Sequence, residues 1–288
     1  MTVVDLIVQF IFPLFGTIIC NILWLTPLPV VLEARYTRYL GPLNPYPFVI
    51  TAFGNIGWTV YGCMRKDPFL FSSSFTGLVL GFYYTIVCLT VIAKRDANAD
   101  FSNLYVGVET CLLCGILFWS IMGWIIAVGF SSYPDPFGEA TKMVGMICAF
   151  SSVAYYASPL TSLYEVVVKK DSSSLYLPLL VINLINSGLW FIYGLVGTGD
   201  PNLYIPNICS MTLASIQLFM RLTVPVKEKH QTQTWEHVLH LIQGKIPPTF
   251  ETSQKILLSR SYSRLNLLDS NLNLVDLENY GNDIDQPL

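Results

Sequence analysis

Seven stretches of this 288-residue chain contain no Lys, Arg, Asp or Glu, and each is about as long as a membrane is thick. A helix needs about 20 mostly apolar residues to cross a bilayer. Trimmed at their polar flanks, the stretches predict spans at 6–31, 45–63, 69–93, 104–128, 143–164, 174–195 and 203–222. The first is too long for a signal-peptide core and lacks a basic start, so it is expected to be retained. Charged residues make up only 12% of the chain, against about 25% in a soluble domain. A soluble enzyme, a disordered chain and a secreted disulfide scaffold are all excluded on that ground. The last 68 residues hold 15 of the 35 charges. The expectation is an all-α integral membrane protein with a polar tail.

Little else in the composition suggests chemistry. His230, His237 and His240 all fall in the tail, and Cys111-x-x-Cys114 lies in an apolar span with no second pair. No metal site and no cofactor are expected. A net charge of −3 offers no basic stripe for nucleic acid. An intramembrane enzyme would need paired acids, a Ser/His set or metal ligands within the spans, and none is visible.

Loop charge predicts the orientation. Arg35, Arg38, Lys94, Arg95, Lys169, Lys170, Arg221, Lys227 and Lys229 gather on one side, while Arg65, Lys66 and Lys142 lie on the other. The N-terminus is therefore expected outside and the C-terminal tail in the cytoplasm, most simply at the plasma membrane, with an intracellular membrane as the alternative.

The chain also resembles itself. Trp24-Leu25-Thr26-Pro27 and Tyr156-Ala157-Ser158-Pro159 stand 132 residues apart, and the same offset carries Trp58-x-x-Tyr61-Gly62 onto Trp190-x-x-Tyr193-Gly194. With one inserted residue, Asp67-Pro68 meets Asp200-Pro201, Ser74 meets Asn207 and Gly77 meets Ser210. Three spans per unit would invert a directly fused second copy, and one linker helix restores it. The expected architecture is two parallel three-helix repeats, 1–95 and 141–222, joined by a linker helix with its loops, 96–140, and followed by a largely disordered tail, 223–288. Transporters of this plan bind substrate between the repeats.

These motifs closely resemble the SWEET sugar-facilitator family, built as 3+1+3 helices. The second half carries the better match: Ser158-Pro159-Leu160, Lys169-Lys170-Asp171-Ser172, Trp190-x-x-Tyr193-Gly194, Asp200-Pro201, Ile205-Pro206-Asn207 and Gln217-Leu218. The first half matches through Thr26-Pro27, Pro45-Tyr46-Pro47, Tyr61-Gly62 and Gly77-x-x-Leu80-Gly81. The resemblance implies passive, bidirectional transport of a mono- or disaccharide by alternating access. It makes Trp190 and Asn207 pocket residues, Pro27 and Pro159 hinges, and Pro47 a third hinge. Pro178 stands two residues out of register as a fourth. Where the family usually has Asn, this chain has Ser74.

The residues themselves fit a neutral polyol. A sugar offers hydroxyls and apolar C–H faces, so it needs amide or hydroxyl partners and flat aromatic surface. Asn207 offers the amide and Trp190 and Trp58 the surface, with Ser74, Asn186 and Asn55 as further candidates. Trp24 and Trp119 read instead as interfacial belt anchors. Apart from Arg221 at the very end of the last span, no Lys, Arg or His falls in the trimmed spans, and their only acid is Glu109, with Asp5 at the edge of the first. A facilitator is favoured over an ion-driven pump for that reason. Two tryptophans facing one pocket favour a hexose over sucrose. The alternatives are a PQ-loop-type transporter of another small solute, such as an amino acid, and, more remotely, a seven-helix receptor. Neither a Pro-Gln dipeptide nor a deep acid supports the first, and a receptor would not predict the repeat. A homo-oligomer stays open. In the tail, 234–243 could form a short interfacial helix, and 259–265 contains phosphorylation and Tyr-x-x-apolar sorting patterns.

Overall fold

The computed structural model describes residues 3–41, 43–93, 99–155 and 157–226. The tail patterns at 234–243 and 259–265 lie outside the described residues. Every regular element among those described is helical. We number them α1 (Val3–Thr37), α2 (Tyr46–Arg65), α3 (Pro68–Ala93), α4 (Asn103–Gly129), α5 (Pro136–Tyr155), α6 (Ala157–Lys169), α7 (Leu177–Thr198) and α8 (Pro201–Thr223). α1, α3, α4, α7 and α8 are long and apolar enough to cross a membrane. The chain is an integral, multi-pass membrane protein.

Two predicted spans differ in extent from the helices found. The first, expected to end at residue 31, continues to Thr37 after a break. At that break the Thr26 N–H turns back to the Leu23 carbonyl at 3.2 Å, Pro27 has no N–H to give, and the ladder resumes with Val31 on Pro27 O at 3.1 Å. The span expected at 143–164 starts earlier, at Pro136, and its described residues are helical as α5 and α6. The break in α1 falls where the first of the two aligned proline motifs stands. Pro47 and Pro178 are each the second residue of their helix, α2 and α7, where a proline ring breaks no helical bond.

The Asp-Pro pairs start α3 and α8. Asp67 Oδ1 accepts from the N–H groups of Phe69 and Leu70, and Asp200 Oδ1 from that of Asn202, all at 3.0 Å. Each is an N-cap followed by proline at the first helical position. The single inserted residue of the second motif is absorbed just before this point. The last six residues of α7, Tyr193–Thr198, form a π-helical turn, whereas α2 stays α-helical to Arg65. The turn closes alike in both halves, with Asp67 N–H on Gly62 O at 2.9 Å and Asp200 N–H on Gly194 O at 2.8 Å.

Helices in lipid associate by close packing around small residues, since lipid is as apolar as they are. α2 packs chiefly on α3 and α7 on α8. A Cβ at Gly62 would lie 2.7 Å from the Phe71 backbone nitrogen, and one at Gly194 2.9 Å from that of Tyr204, so only glycine lets these pairs approach so closely. α1 packs on α3 and reaches across to α7; α5 packs on α8 and reaches across to α2. A buried cluster of Tyr61, Leu70, Val144, Cys148, Trp190, Tyr193 and Leu203 fills the junction.

Candidate functional site

A cavity of about 140 Å³ lies within this junction, and all six candidate binding residues line it: Trp58 and Asn55 on α2, Ser74 on α3, Asn186 and Trp190 on α7, and Asn207 on α8. Much of its wall comes in aligned pairs. Trp58 stands with Trp190, Leu70 with Leu203, Ser74 with Asn207, and Cys20 on α1 with Ser152 on α5. The tryptophans supply flat apolar surface, and the amides and hydroxyls supply donors and acceptors. Among the described residues, no acid, lysine, arginine or histidine lines the cavity.

Hydrogen bonds fix these side chains. Trp58 Nε1 donates to Ser152 Oγ at 3.1 Å, linking α2 to α5. The Asn207 amide donates to Leu203 O at 2.7 Å, one residue after the buried Pro206. Ser74 Oγ turns back to Leu70 O at 2.8 Å, which leaves the cavity its oxygen lone pairs. Asn186 Oδ1 is buried without a hydrogen-bond partner, an acceptor that a ligand hydroxyl would satisfy. The Asn55 amide donates to Thr51 O at 2.8 Å and sits over Gly77. At the aligned positions Ser187 donates to Ser210 at 2.8 Å, so Asn with Gly in one half fills the space of Ser with Ser in the other.

Three residues along α2 and α7 from the cavity tryptophans, two crossed bonds tie the halves together. The Tyr61 hydroxyl donates to Asp200 Oδ2 at 2.6 Å, and the Tyr193 hydroxyl donates to Asp67 Oδ2 at 2.7 Å. Each aspartate therefore caps its own helix with one oxygen and holds the other half's tyrosine with the second. The Asn202 amide also donates to the Tyr61 oxygen at 3.3 Å, and Arg65 Nε lies 3.7 Å from Asp200 Oδ2. Each tyrosine is also the neighbour of a cavity tryptophan. Trp58 and Tyr61 meet edge-on at 6.0 Å, and Trp190 and Tyr193 at 5.9 Å. The rings that face the cavity touch the rings that make the crossed bonds.

Along α8 in the other direction, a second cavity of about 210 Å³ shares Asn186 and Asn207 with the first. It is lined by Asn183, Ser187, Ser210 and Gln217 among others, a polar continuation away from the crossed bonds.

The structure corrects the reading of two tryptophans as belt anchors. Trp24 Nε1 donates to Ser73 O at 2.9 Å and its ring lines the central cavity. Trp119 Nε1 donates to Phe53 O at 3.0 Å, tying α4 to α2. The sequence reading also missed Asp67, Asp200, Tyr61 and Tyr193 as functional groups, although all four belong to the aligned motifs. Cys20 and Ser152 carried no signal beyond their shared offset.

Comparison with known proteins gives one consistent picture. The family model described as "Sugar efflux transporter for intercellular exchange" matches residues 10–96 and 142–229. The chain is 25% identical to the human sugar transporter SWEET1 over 187 residues, 65% of this chain and 77% of that protein. It is 24% identical to the bidirectional sugar transporter SWEET11 of Oryza sativa over 70% of this chain and 62% of that one. The solved structure of a eukaryotic SWEET transporter shares the fold with a TM-score of 0.65, covering 76% of this chain and 97% of that one at 17% identity.

Proposed function

The chain belongs to the SWEET family of sugar transporters, and on that premise we propose that it is a passive, bidirectional uniporter for a hexose, working by alternating access. It is a transporter and not an enzyme. The observation that carries the finer reading is the convergence of Trp58, Trp190, Asn55, Asn186, Ser74 and Asn207 on one small cavity. At roughly 30 Å³ per water, 140 Å³ is space for about five waters, which suits one sugar ring better than two. In this reading the pyranose stacks between the tryptophans, and its hydroxyls meet the Asn207 and Asn186 amides and Ser74.

The moving units are the repeats 1–95 and 141–222, with 96–140 as the linker, a division supported by the family model matching twice. The crossed tyrosine–aspartate bonds are the closed gate of this conformation, and the polar cavity beyond Asn207 is the open route. By loop charge the gate faces outside and the route faces the cytoplasm, with the plasma membrane as the setting. Pro27 and Pro159 are the pivots, Pro27 at the break in α1 and Pro159 at the position aligned with it, and Pro47 and Pro178 start the helices that carry the tryptophans. Sugar binding acts on the gate through the Trp58–Tyr61 and Trp190–Tyr193 contacts. Coupling to an ion would call for a carboxylate at the pocket, and the described residues of the lining include none.

Counterflow in proteoliposomes tests this reading. Vesicles preloaded with unlabelled glucose should take up labelled glucose faster than empty ones, and preloading with sucrose should give no such stimulation. Equal rates with and without preloaded glucose would contradict a reorienting hexose carrier.

A further inference from the structure

Another cavity is larger than the sugar pocket. About 490 Å³ of space lies between α2, α4 and α5. Its wall is mainly apolar: Ile50 and Phe53 from α2, Phe118 and Trp119 from α4, and Ile147 from α5 face it, beside Gly54. Three of the N–H groups in its wall are already engaged. Trp119 Nε1 bonds Phe53 O, Trp58 Nε1 bonds Ser152 Oγ and the Asn55 amide bonds Thr51 O. A sugar would find little to bond there, and apolar cavities of this kind do not hold water stably. The volume lies within the ~300–1,000 Å³ of ordinary ligand sites.

α4 gives this cavity its setting. Its most apolar window has no buried residue, so the helix that forms one wall otherwise meets lipid. The cavity also shares Trp24, Asn55, Trp58 and Ser152 with the sugar pocket. We propose that it is a binding site for an acyl chain of a bilayer lipid, which enters beside α4 and packs against Trp58 and Trp24 from behind. The membrane supplies the ligand at high local concentration, and burying methylenes among Ile, Phe and Trp side chains is the main recognition the wall offers. The linker helix then does more than restore the orientation of the second repeat, because it encloses a site through which lipid supports one wall of the sugar pocket. That consequence rests on the sugar-pocket reading above; the lipid site itself does not.

Gly54 provides the test, since a Cβ there meets nothing within 4 Å and a larger side chain can grow into the cavity without a backbone clash. The full chain is reconstituted in phosphatidylcholine carrying a diazirine on one acyl chain, photolysed, and its adducts mapped. Wild type should be labelled at Phe118 and Ile147. Gly54→Phe should lose that labelling by about tenfold, the factor that two lost buried methylenes are worth, while adducts on outward-facing Leu117 stay unchanged. Gly54→Leu, a gentler filling, should fall between. Equal labelling of the cavity wall in all three proteins would overturn the proposal. So would reaction of Cys111, in the same wall, with a charged, impermeant methanethiosulfonate, which would mark the space as watered. Glucose flux is read in the same vesicles. Cavity labelling without any hexose flux would overturn the sugar reading and leave the lipid site standing.

Discussion

The Tyr61 hydroxyl reaches across the junction to Asp200 Oδ2 at 2.6 Å, and Tyr193 returns the bond to Asp67 at 2.7 Å. A hydrogen bond to a charged group is worth about 1.5–3 kcal/mol, and losing its donor leaves the carboxylate short of a partner. Tyr61→Phe and Tyr193→Phe should therefore each open the closed end by tenfold or more in population, ~1.4 kcal/mol being a factor of ten. Cys20 lines the cavity and reports this directly. An impermeant thiol reagent added on the side of Arg65 and Lys66 should label it about tenfold faster in either variant. Unchanged labelling in both would mean that the crossed bonds do not hold this end shut.

Tryptophan substitutions separate sugar size from sugar contact. Trp58→Ala removes volume and the bond to Ser152, so sucrose uptake should appear where wild type has little, with the KM for glucose raised. Trp190 is only 5% exposed and belongs to the junction cluster. Trp190→Ala should weaken glucose transport by about tenfold or more, as loss of a buried aromatic contact predicts, without a gain of sucrose. Absence of sucrose uptake in Trp58→Ala would contradict its role in limiting ligand size.

Pro27→Ala restores an N–H at the break in α1, so the helix can close across it. If the break is a pivot, uptake per molecule at the membrane should fall more than the amount of protein there, and Pro159→Ala should behave alike. Unchanged uptake per molecule in both variants would remove the hinge role.

Gly62→Ala and Gly194→Ala test the close approach of paired helices. Each new methyl would meet a backbone nitrogen, at 2.7 and 2.9 Å, and backbone cannot swing aside as a side chain can. Each should cost about 1–3 kcal/mol, read as a lower midpoint of thermal unfolding in detergent. Gly54→Ala, with open space around it, is the control and should be neutral or stabilising.

The parts of the site visible in the sequence are those for which repetition and chemistry agree. Trp58 and Trp190 share an offset and a role that a sugar needs, and both line the cavity. Asp67 and Asp200 share an offset too, but an Asp before a Pro at the end of a span reads as a helix cap. It is one, through Oδ1. The second oxygen's partner lies on the other half of the chain, 139 residues away for Tyr61 and Asp200, and no local pattern encodes that. Trp24 misled for the opposite reason. It sits near a span end, where belts form, but Ser73 O lies within reach of its indole and turns the ring inward. The break at Thr26–Pro27 was legible as a proline and the continuation to Thr37 was not, because Glu33 and Arg35 look like a loop until the helix carries them past the apolar zone.

Charge scarcity in the spans and the neutral lining of both polar cavities support a carrier that only equilibrates its sugar. The most direct measurement is labelled glucose flux into and out of proteoliposomes, with and without imposed proton and sodium gradients. The expected result is uptake that stops at the outside concentration, equal competence in both directions and no response to either gradient. Accumulation of glucose above the outside concentration when a gradient is imposed would contradict the account.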